Sequence, residues 1–334
     1  MKFEKIISDL RNKVYYPVYY LVGEEPYFID EITNCIATNL LSETEKEFNQ
    51  SILYGKETDV PLIISYAKRF PMMANYQVVI VKEAQNIKEI DQLISYIETP
   101  LKSTILVICY KYKKFDKRTK FAKVLSKSNN VVLFDSQKLY DNKIPDWITN
   151  YIQKQDYKIS PQVCVLLADS LGSNLGKITN ELKKLTLNIP EKTEITAELV
   201  EQFIGISKDY NVFELQKALG VKNIFKANQI INYFKLNVRD NPLLKIVAIL
   251  YSFFIKVLMY HYIKDKSRNN VASVLSINPF FIKDYQIAAS NYNAKKLIQI
   301  ISLFREYDLK SKGVDNVSTN DGELMKELIF KILH

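Results

Sequence analysis

The sequence predicts an α/β domain with a mainly parallel sheet, followed by a small helical domain and a larger all-α domain. From Val18 to Asp135, short apolar runs alternate with amphipathic stretches, which is the pattern of successive βαβ units. After Leu139 the strand pattern stops, and the eight glycines among 334 residues favour a largely helical chain. We expect the three domains to span residues 1–139, 140–208 and 209–334.

The predicted strands of the first domain are short, apolar and separated by helical stretches. The strand candidates are Val18–Val22, Phe48–Tyr54, Gln77–Lys82, Thr104–Cys109 and Val131–Phe134. The helix candidates between them are Tyr27–Leu40, Val60–Arg69, Ile87–Ile97 and Lys117–Ser126. This alternation predicts a parallel sheet with helices on both faces.

The remaining chain is predicted to be helical throughout. The smaller domain contains the candidates Asp141–Gln155, Ser160–Ser170, Asn174–Leu187 and Thr196–Ile204. A short polar hinge, Ser207–Asn211, precedes the last domain. That domain contains the candidates Val212–Leu219, Ile224–Leu236, Pro242–Lys264, Pro279–Ala289, Ala294–Lys312 and Gly322–Leu333.

The turn after the first strand has the position of a phosphate-binding loop without its chemistry. Such a loop needs glycine amides and a lysine, but here Gly23 is followed by Glu24 and Glu25, whose carboxylates repel phosphate. Pro26 suits the first turn of a helix, where its missing N–H costs nothing. The turn therefore predicts an α/β domain that does not bind nucleotide.

Other catalytic and metal sites also lack their residues. No glycine pair has the GxxxxGK[ST] spacing, and the third strand ends in Lys82, where a metal-binding carboxylate would be needed. His261 and His334 are the only histidines, and the three cysteines form no CxxC pair, so buried reduced thiols in a cytoplasmic protein are expected. We expect no catalytic residues, cofactor, metal site or ATPase activity in this chain.

Basic residues exceed acidic ones by nine, and one segment concentrates them. Between Leu101 and Asn130 there is a single acid, Asp116, and Tyr110, Tyr112 and Phe115 interleave with the lysines. Such a segment can neutralise phosphates, but a solvated helix face explains it equally well. The candidate DNA-binding residues are Lys113, Lys114, Lys117, Arg118 and Lys120.

A second unusual segment places large apolar residues in a connection between helix and strand. Pro71 disfavours a helical conformation at Phe70, so Phe70, Met72 and Met73 lie in or beside a loop. Apolar loop residues either fold back into the core or bind a partner, and methionine suits an apolar pocket. Composition alone favours packing in the core.

One segment, Leu243–Ile263, is long and apolar enough to imitate a membrane span. Lys245, Ser252 and Lys256 interrupt it and fall on one stripe of a helix. A lysine in mid-bilayer costs roughly 3 kcal/mol. A central helix of a helical bundle with one polar seam is the better interpretation, and we expect no membrane contact.

Five stretches in order together resemble the delta subunit of the bacterial DNA polymerase III clamp loader. They are Tyr20–Glu31, Phe70–Ala84, Phe115–Leu125, Leu175–Leu185 and Asp308–Gly313. The resemblance implies an AAA+-like α/β domain, a small helical lid domain and a helical collar domain that mediates oligomerisation. It also implies that the chain does not hydrolyse ATP but belongs to a DNA-directed DNA polymerase holoenzyme, a nucleotidyltransferase complex.

The resemblance also implies partners and a site. The partners are the sliding clamp (beta subunit), the ATPase and delta-prime-like subunits bound through the collar, and primed DNA within the complex. The clamp-contacting residues fall on Phe70, Met72 and Met73, which favours a clamp pocket over core packing; the family commonly has leucine and phenylalanine at the two later positions. A catalytic AAA+ ATPase with atypical motifs and a general nucleic-acid-binding protein are the alternatives.

Overall fold

The computed structural model describes residues 1–207, 209–316 and 318–334. The chain divides into two compact units, Met1–Leu139 and Tyr140–His334. The three predicted domains, residues 1–139, 140–208 and 209–334, stay a prediction. Lys208, within the predicted hinge Ser207–Asn211, lies outside the described residues.

The first unit is built on one parallel sheet. Its strands are β1 (Val18–Gly23), β2 (Gln50–Tyr54), β3 (Gln77–Lys82), β4 (Thr104–Lys111) and β5 (Val131–Ser136). They lie in the order β2-β3-β4-β1-β5, and every neighbouring pair is parallel. β1, β3 and β4 are almost wholly apolar because helices cover both faces. The predicted fold class is confirmed.

The helices of the first unit form one layer on each face of the sheet. They are α1 (Phe3–Arg11), α2 (Pro26–Asn39), α3 (Glu43–Asn49), α4 (Val60–Ala67), α5 (Ile94–Ile97) and α6 (Lys120–Lys127). α1 and α2 bury their apolar side chains against one face, and α4, α5 and α6 bury theirs against the other. The apolar cores of the unit are the two layers between sheet and helices.

Several predicted boundaries in this unit were wrong. The predicted helix Ile87–Ile97 is interrupted, because Glu89 adopts a left-handed conformation with φ of 53°. Two 3₁₀ turns, Ala84–Asn86 and Ile90–Leu93, precede the short α5. α6 begins at Lys120 and not at Lys117, because the Thr119 side chain caps it at the Ala122 amide.

The predicted strand Phe48–Tyr54 starts two residues later than expected. Ser42 and Glu45 form a capping box that begins α3, and this helix continues through Phe48 to Asn49. α4 ends at Ala67 and not at Arg69. α1 was not predicted at all.

The second unit consists mainly of helices, and those from α11 onward surround one large apolar core. Its helices are α7 (Ile144–Gln153), α8 (Pro161–Leu171), α9 (Leu175–Thr186), α10 (Ala197–Ile204), α11 (Val212–Gly220), α12 (Ile224–Leu236), α13 (Leu243–Tyr262), α14 (Arg268–Leu275), α15 (Ile282–Asn291), α16 (Ala294–Ser311) and α17 (Asp321–Leu333). Single 3₁₀ turns, Asp141–Lys143 and Pro279–Phe281, precede α7 and α15.

The expectation that strands stop after Leu139 was wrong. β6 (Lys158–Ile159) and β7 (Glu194–Ile195) form a two-stranded parallel pair. Two residues per strand are too few to produce an alternating pattern. α14 was also missed, because polar residues dominate its first turn.

α13 is the apolar segment that imitates a membrane span. By length and composition it is the one helix in the described part of the chain that could cross a membrane. It buries seven apolar side chains, from Leu243 to Val257, in the core that α11, α12, α16 and α17 share. Lys245 and Ser252 are exposed and Lys256 is half-buried, in agreement with the predicted polar seam. α13 is thus a central helix of this bundle.

Candidate functional site

The apolar loop, residues 68–76, connects α4 to β3. Because β3 begins at Gln77 and its neighbour β2 begins at Gln50, the loop lies at the edge of the sheet where the parallel strands start. The turn after Gly23 lies at the opposite edge, where strands end. A strand of six residues separates these edges by roughly 17–20 Å. The apolar loop and the turn after Gly23 are therefore at separate places on the sheet.

The apolar loop exposes the three side chains that the sequence singled out. Phe70 is 76% exposed, Met72 is 62% exposed, and Met73 is fully exposed. Packing in the core, which composition favoured, is wrong for these residues. Three neighbouring large apolar side chains on a loop are the kind of surface that marks a binding site.

The loop is fixed at both ends. At its start, the carbonyl of Ala67 accepts hydrogen bonds from the hydroxyls of Tyr96 and Thr104, at 3.2 and 2.9 Å. At its end, Ala74 and Tyr76 pack against the apolar layer on the α1–α2 face. The segment that carries the exposed side chains is therefore short and tethered on both sides.

A buried asparagine also holds the middle of the loop. Asn49, the last residue of α3, is 0% exposed. Its Oδ1 accepts from the Met72 amide at 2.6 Å, and its Nδ2 donates to the Met72 carbonyl at 2.9 Å. Met73 follows with φ of 52°, a left-handed conformation that is uncommon for methionine. The sequence patterns did not point to Asn49, because this region was assigned to a strand. The Ser42–Glu45 capping pattern was the available signal for the helix that ends at Asn49.

At the opposite edge, the N-terminus of α2 is occupied by the chain's own carboxylate. Glu25 is 4% exposed, and its side chain accepts a hydrogen bond from the Tyr27 amide at 3.1 Å. Burial raises the pKa of the Glu25 carboxyl, while the Tyr27 hydrogen bond and the charge of Lys138 oppose that rise. Helix N-termini bind phosphate through such amides. This geometry opposes nucleotide binding at the turn.

Gly23 serves packing in this turn. Its φ is 145°, and a Cβ at this position would lie 2.0 Å from the carbonyl oxygen of Ser136 in β5. The Glu25 amide donates to the same carbonyl at 3.2 Å, and the Ser136 hydroxyl donates to the Glu25 carbonyl at 2.6 Å. The glycine therefore allows the turn to lie directly against β5.

Several residues of the predicted DNA-binding segment form ion pairs around this turn. Lys114 lies 3.8 Å from Glu24, and Lys117 lies 3.5 Å from Asp135. Arg118 binds Asp116 through two hydrogen bonds of 2.9 Å, which lower the pKa of Asp116 to about 2. Three of the five candidate cations thus already face a carboxylate.

The other two candidates are more open. The Lys113 ammonium lies 5.9 Å from the centre of the Tyr110 ring, and Lys120 is exposed in the first turn of α6. Neither forms an ion pair within the part of the chain that the structure describes. In the same described part, no cluster of three or more His, Cys, Asp or Glu side chains could hold a metal ion.

Comparison with known proteins identifies the family. The family model described as DNA polymerase III, delta subunit, matches residues 19–135, and the model of that subunit's C-terminal domain matches residues 209–330. This chain belongs to the DNA polymerase III delta-subunit family. A Bacillus subtilis protein named DNA polymerase III subunit delta is 27% identical over 333 residues, covering 96% of this chain and 94% of that protein.

Two further matches extend the comparison. A Mycoplasma genitalium protein named probable DNA polymerase III subunit delta is 28% identical over 159 residues, covering 47% of this chain and 52% of that protein. The solved structure of the Bacillus subtilis DNA clamp loader delta protein matches with a TM-score of 0.53 and 23% identity, covering 99% of each chain. The delta-subunit fold thus extends over nearly the whole chain.

Proposed function

We propose that this delta-family chain is a non-hydrolysing clamp-loader subunit that binds the sliding clamp and opens it for loading onto primed DNA. The observation that carries the proposal is the apolar loop at one edge of the sheet. Its backbone is fixed by hydrogen bonds from Asn49, and its Phe70, Met72 and Met73 side chains are exposed to solvent. These are the residues on which the family's clamp contact falls by resemblance. They form the proposed clamp-binding site.

The exposed side chains are large enough to support a protein–protein contact. Fully burying a phenylalanine or methionine side chain contributes roughly 1.5–3 kcal/mol, so the three together contribute about 6 kcal/mol before the costs of association. A loop that is already ordered loses less conformational entropy on binding. The methionines keep the apolar volume and adapt to the shape of the pocket.

Opening of the ring follows from differential binding. A ligand shifts a conformational equilibrium only by the difference between its affinities for the two states. The chain must therefore hold the open clamp more tightly than the closed clamp. Opening of the clamp by differential binding needs no nucleotide on this chain. This agrees with the Glu25 carboxylate, which occupies the N-terminus of α2.

ATPase and delta-prime-like subunits bind this chain through its C-terminal helices in the proposed complex. α13 supports this assignment, because one face of the helix carries exposed apolar residues at helical spacing. They are Leu244, Ala248, Tyr251, Met259 and Tyr262. A face of this kind suits helix packing between subunits. Because the complex acts on replicating bacterial DNA, the proposed location is the cytoplasm.

Contact with primed DNA belongs to the assembled loader in this proposal. Lys114, Lys117 and Arg118 are ion-paired within the chain. Lys113 and Lys120 are therefore the proposed phosphate contacts of the basic segment. Phosphate contacts of this kind position a protein on DNA without reading its sequence.

Titration of the cognate clamp with the purified chain tests the proposed site. Replacing Met72→Ala together with Met73→Ala removes most of the exposed apolar surface without touching the core, so affinity should fall at least about 100-fold. A double variant of exposed residues in the second unit, Leu187→Ala with Leu236→Ala, should bind as the wild type does. Unchanged affinity of the loop variant would contradict the site.

A further inference from the structure

Asn49 is a fully buried polar side chain whose hydrogen-bonding groups are directed at the apolar loop. Its Nδ2 donates to the carbonyls of Glu45 and Met72 at 3.0 and 2.9 Å, and its Oδ1 accepts from the Met72 amide at 2.6 Å. A buried amide without such partners would be costly. Two of its three bonds go to one residue of the loop.

The pairing has the form of a peptide–peptide contact. A carboxamide presents one acceptor beside one donor, and Met72 presents its N–H and its carbonyl on the same side. The two bonds fix the Met72 backbone relative to the end of α3, from which β2 continues without a break. Met73 comes next in the uncommon left-handed conformation, which persists only where the surroundings enforce it.

We propose that Asn49 is a positioning residue for clamp binding: it holds the Met72 backbone so that Met72 and Met73 are presented in the bound geometry before the clamp arrives. The inference rests on the proposed function of the loop. Asn49 itself is buried and touches no partner. Its contribution is to remove the entropic cost of ordering the loop on binding.

Two variants separate the parts of the contact. Asn49→Ala removes all three hydrogen bonds. Asn49→Asp keeps an acceptor for the Met72 amide but directs its second oxygen at the Met72 and Glu45 carbonyls, which repel it when it is ionised. Ser136→Ala is the matched control, because it removes one buried hydrogen bond, to the Glu25 carbonyl, at the opposite edge of the same sheet.

Clamp affinity is the first measurement. We expect Asn49→Ala and Asn49→Asp to bind the clamp about tenfold more weakly, while Ser136→Ala binds as the wild type does. The introduced carboxyl regains a donor when it is protonated. Affinity of Asn49→Asp relative to wild type should therefore recover as the pH is lowered, which a loss of packing alone would not produce.

Amide hydrogen exchange of the free chain is the second measurement, and it does not depend on the clamp. The exposed loop should show a protected Met72 amide in the wild-type protein, and both Asn49 variants should lose that protection while the strands keep theirs. An unprotected Met72 amide in the wild type overturns the proposal even if neither variant folds.

The outcomes separate this inference from the function on which it rests. If Met72→Ala with Met73→Ala loses clamp binding but the Asn49 variants bind as tightly as wild type, positioning by Asn49 is wrong and the clamp-binding function stands. If the double methionine variant binds normally, the site and the inference fail together. Recovery of Asn49→Asp at low pH, with lost Met72 protection at neutral pH, supports positioning.

Discussion

Gly23 and Glu25 shape a turn that lies at the position of a phosphate-binding loop but leaves no free α2 amide at Tyr27 for a phosphate. The glycine lets the turn approach β5, and the Glu25 carboxylate takes the α2 amide that a phosphate would use. Both residues were assigned to the turn from sequence. Their partner, Ser136, could not be predicted because it lies over a hundred residues away in the chain.

Replacing Gly23→Ala should strongly destabilise the first unit. The new Cβ would lie 2.0 Å from the Ser136 oxygen, and φ of 145° is strained for any residue with a side chain. We expect a loss of about 3 kcal/mol or more in the free energy of unfolding. Urea denaturation checks this, with Gly176→Ala, in α9 of the second unit, as the control. A loss below about 1 kcal/mol would mean that the turn relaxes away from β5.

Asp169 on α8 should make the stability of the second unit depend on pH. Burial raises the pKa of this carboxyl from 3.8 to about 6, with the charge of Lys245 opposing and that of Asp141 adding to the rise. The folded chain thus keeps a proton that an unfolded chain releases between these values. The Asp169 contribution therefore makes the fold less stable as the pH rises through this window.

Asp169→Asn should remove that dependence. The variant should match wild type below about pH 4 and exceed it by about 1 kcal/mol above pH 6, a value kept small because the side chain is partly hydrated. Denaturation at both pH values, with the exposed Asp146→Asn as control, measures this. A difference that does not change with pH would contradict the assignment.

At the scale of elements, the basic segment between β4 and α6 has two kinds of lysine. Lys114 and Lys117 face carboxylates, whereas Lys113 and Lys120 do not pair within the described residues. We expect the double variant Lys113→Ala with Lys120→Ala to lower the affinity of the assembled loader for primed DNA at about 50 mM salt. The loss should be larger than that caused by Lys114→Ala with Lys117→Ala. The reverse order, measured by fluorescence anisotropy, would mean that the ion pairs open to release their lysines to DNA.

The accuracy of the sequence prediction differed between elements for physical reasons. β1, β3 and β4 were located closely because they are continuous apolar runs, and α2 because Glu25 and Pro26 mark its start. The predicted helix Ile87–Ile97 was wrong because the left-handed conformation of Glu89 carries no compositional signal. The start of the second strand was placed two residues early because the helix begun by the Ser42–Glu45 capping box continues through Phe48.

In the candidate site, too, some features could be predicted from the sequence and others could not. Pro71 and the apolar residues around it indicated the loop, but exposure could not be predicted, since composition favours burial of Phe70, Met72 and Met73. The resemblance to the delta-subunit family reversed that expectation, and the structure shows all three side chains exposed. The hydrogen bonds from the Asn49 side chain to the Met72 backbone could not be predicted from the sequence, because they join residues on different elements.

At the scale of the whole molecule, two units of different composition serve different parts of one proposed task. The first unit, Met1–Leu139, carries the proposed clamp-binding loop and the closed turn after Gly23. The second, Tyr140–His334, carries the exposed apolar face of α13 that is assigned to assembly. ATP would then act on the loader through sister subunits, while this chain supplies binding to the clamp.

Opening of the clamp by this chain alone tests that division most directly. A cognate clamp labelled with a fluorescent pair across one subunit interface reports opening as a loss of energy transfer. We predict that the wild-type chain opens the clamp without ATP, that ATP changes nothing, and that Met72→Ala with Met73→Ala abolishes opening. A requirement for ATP, or opening by the double variant equal to wild type, would contradict the account.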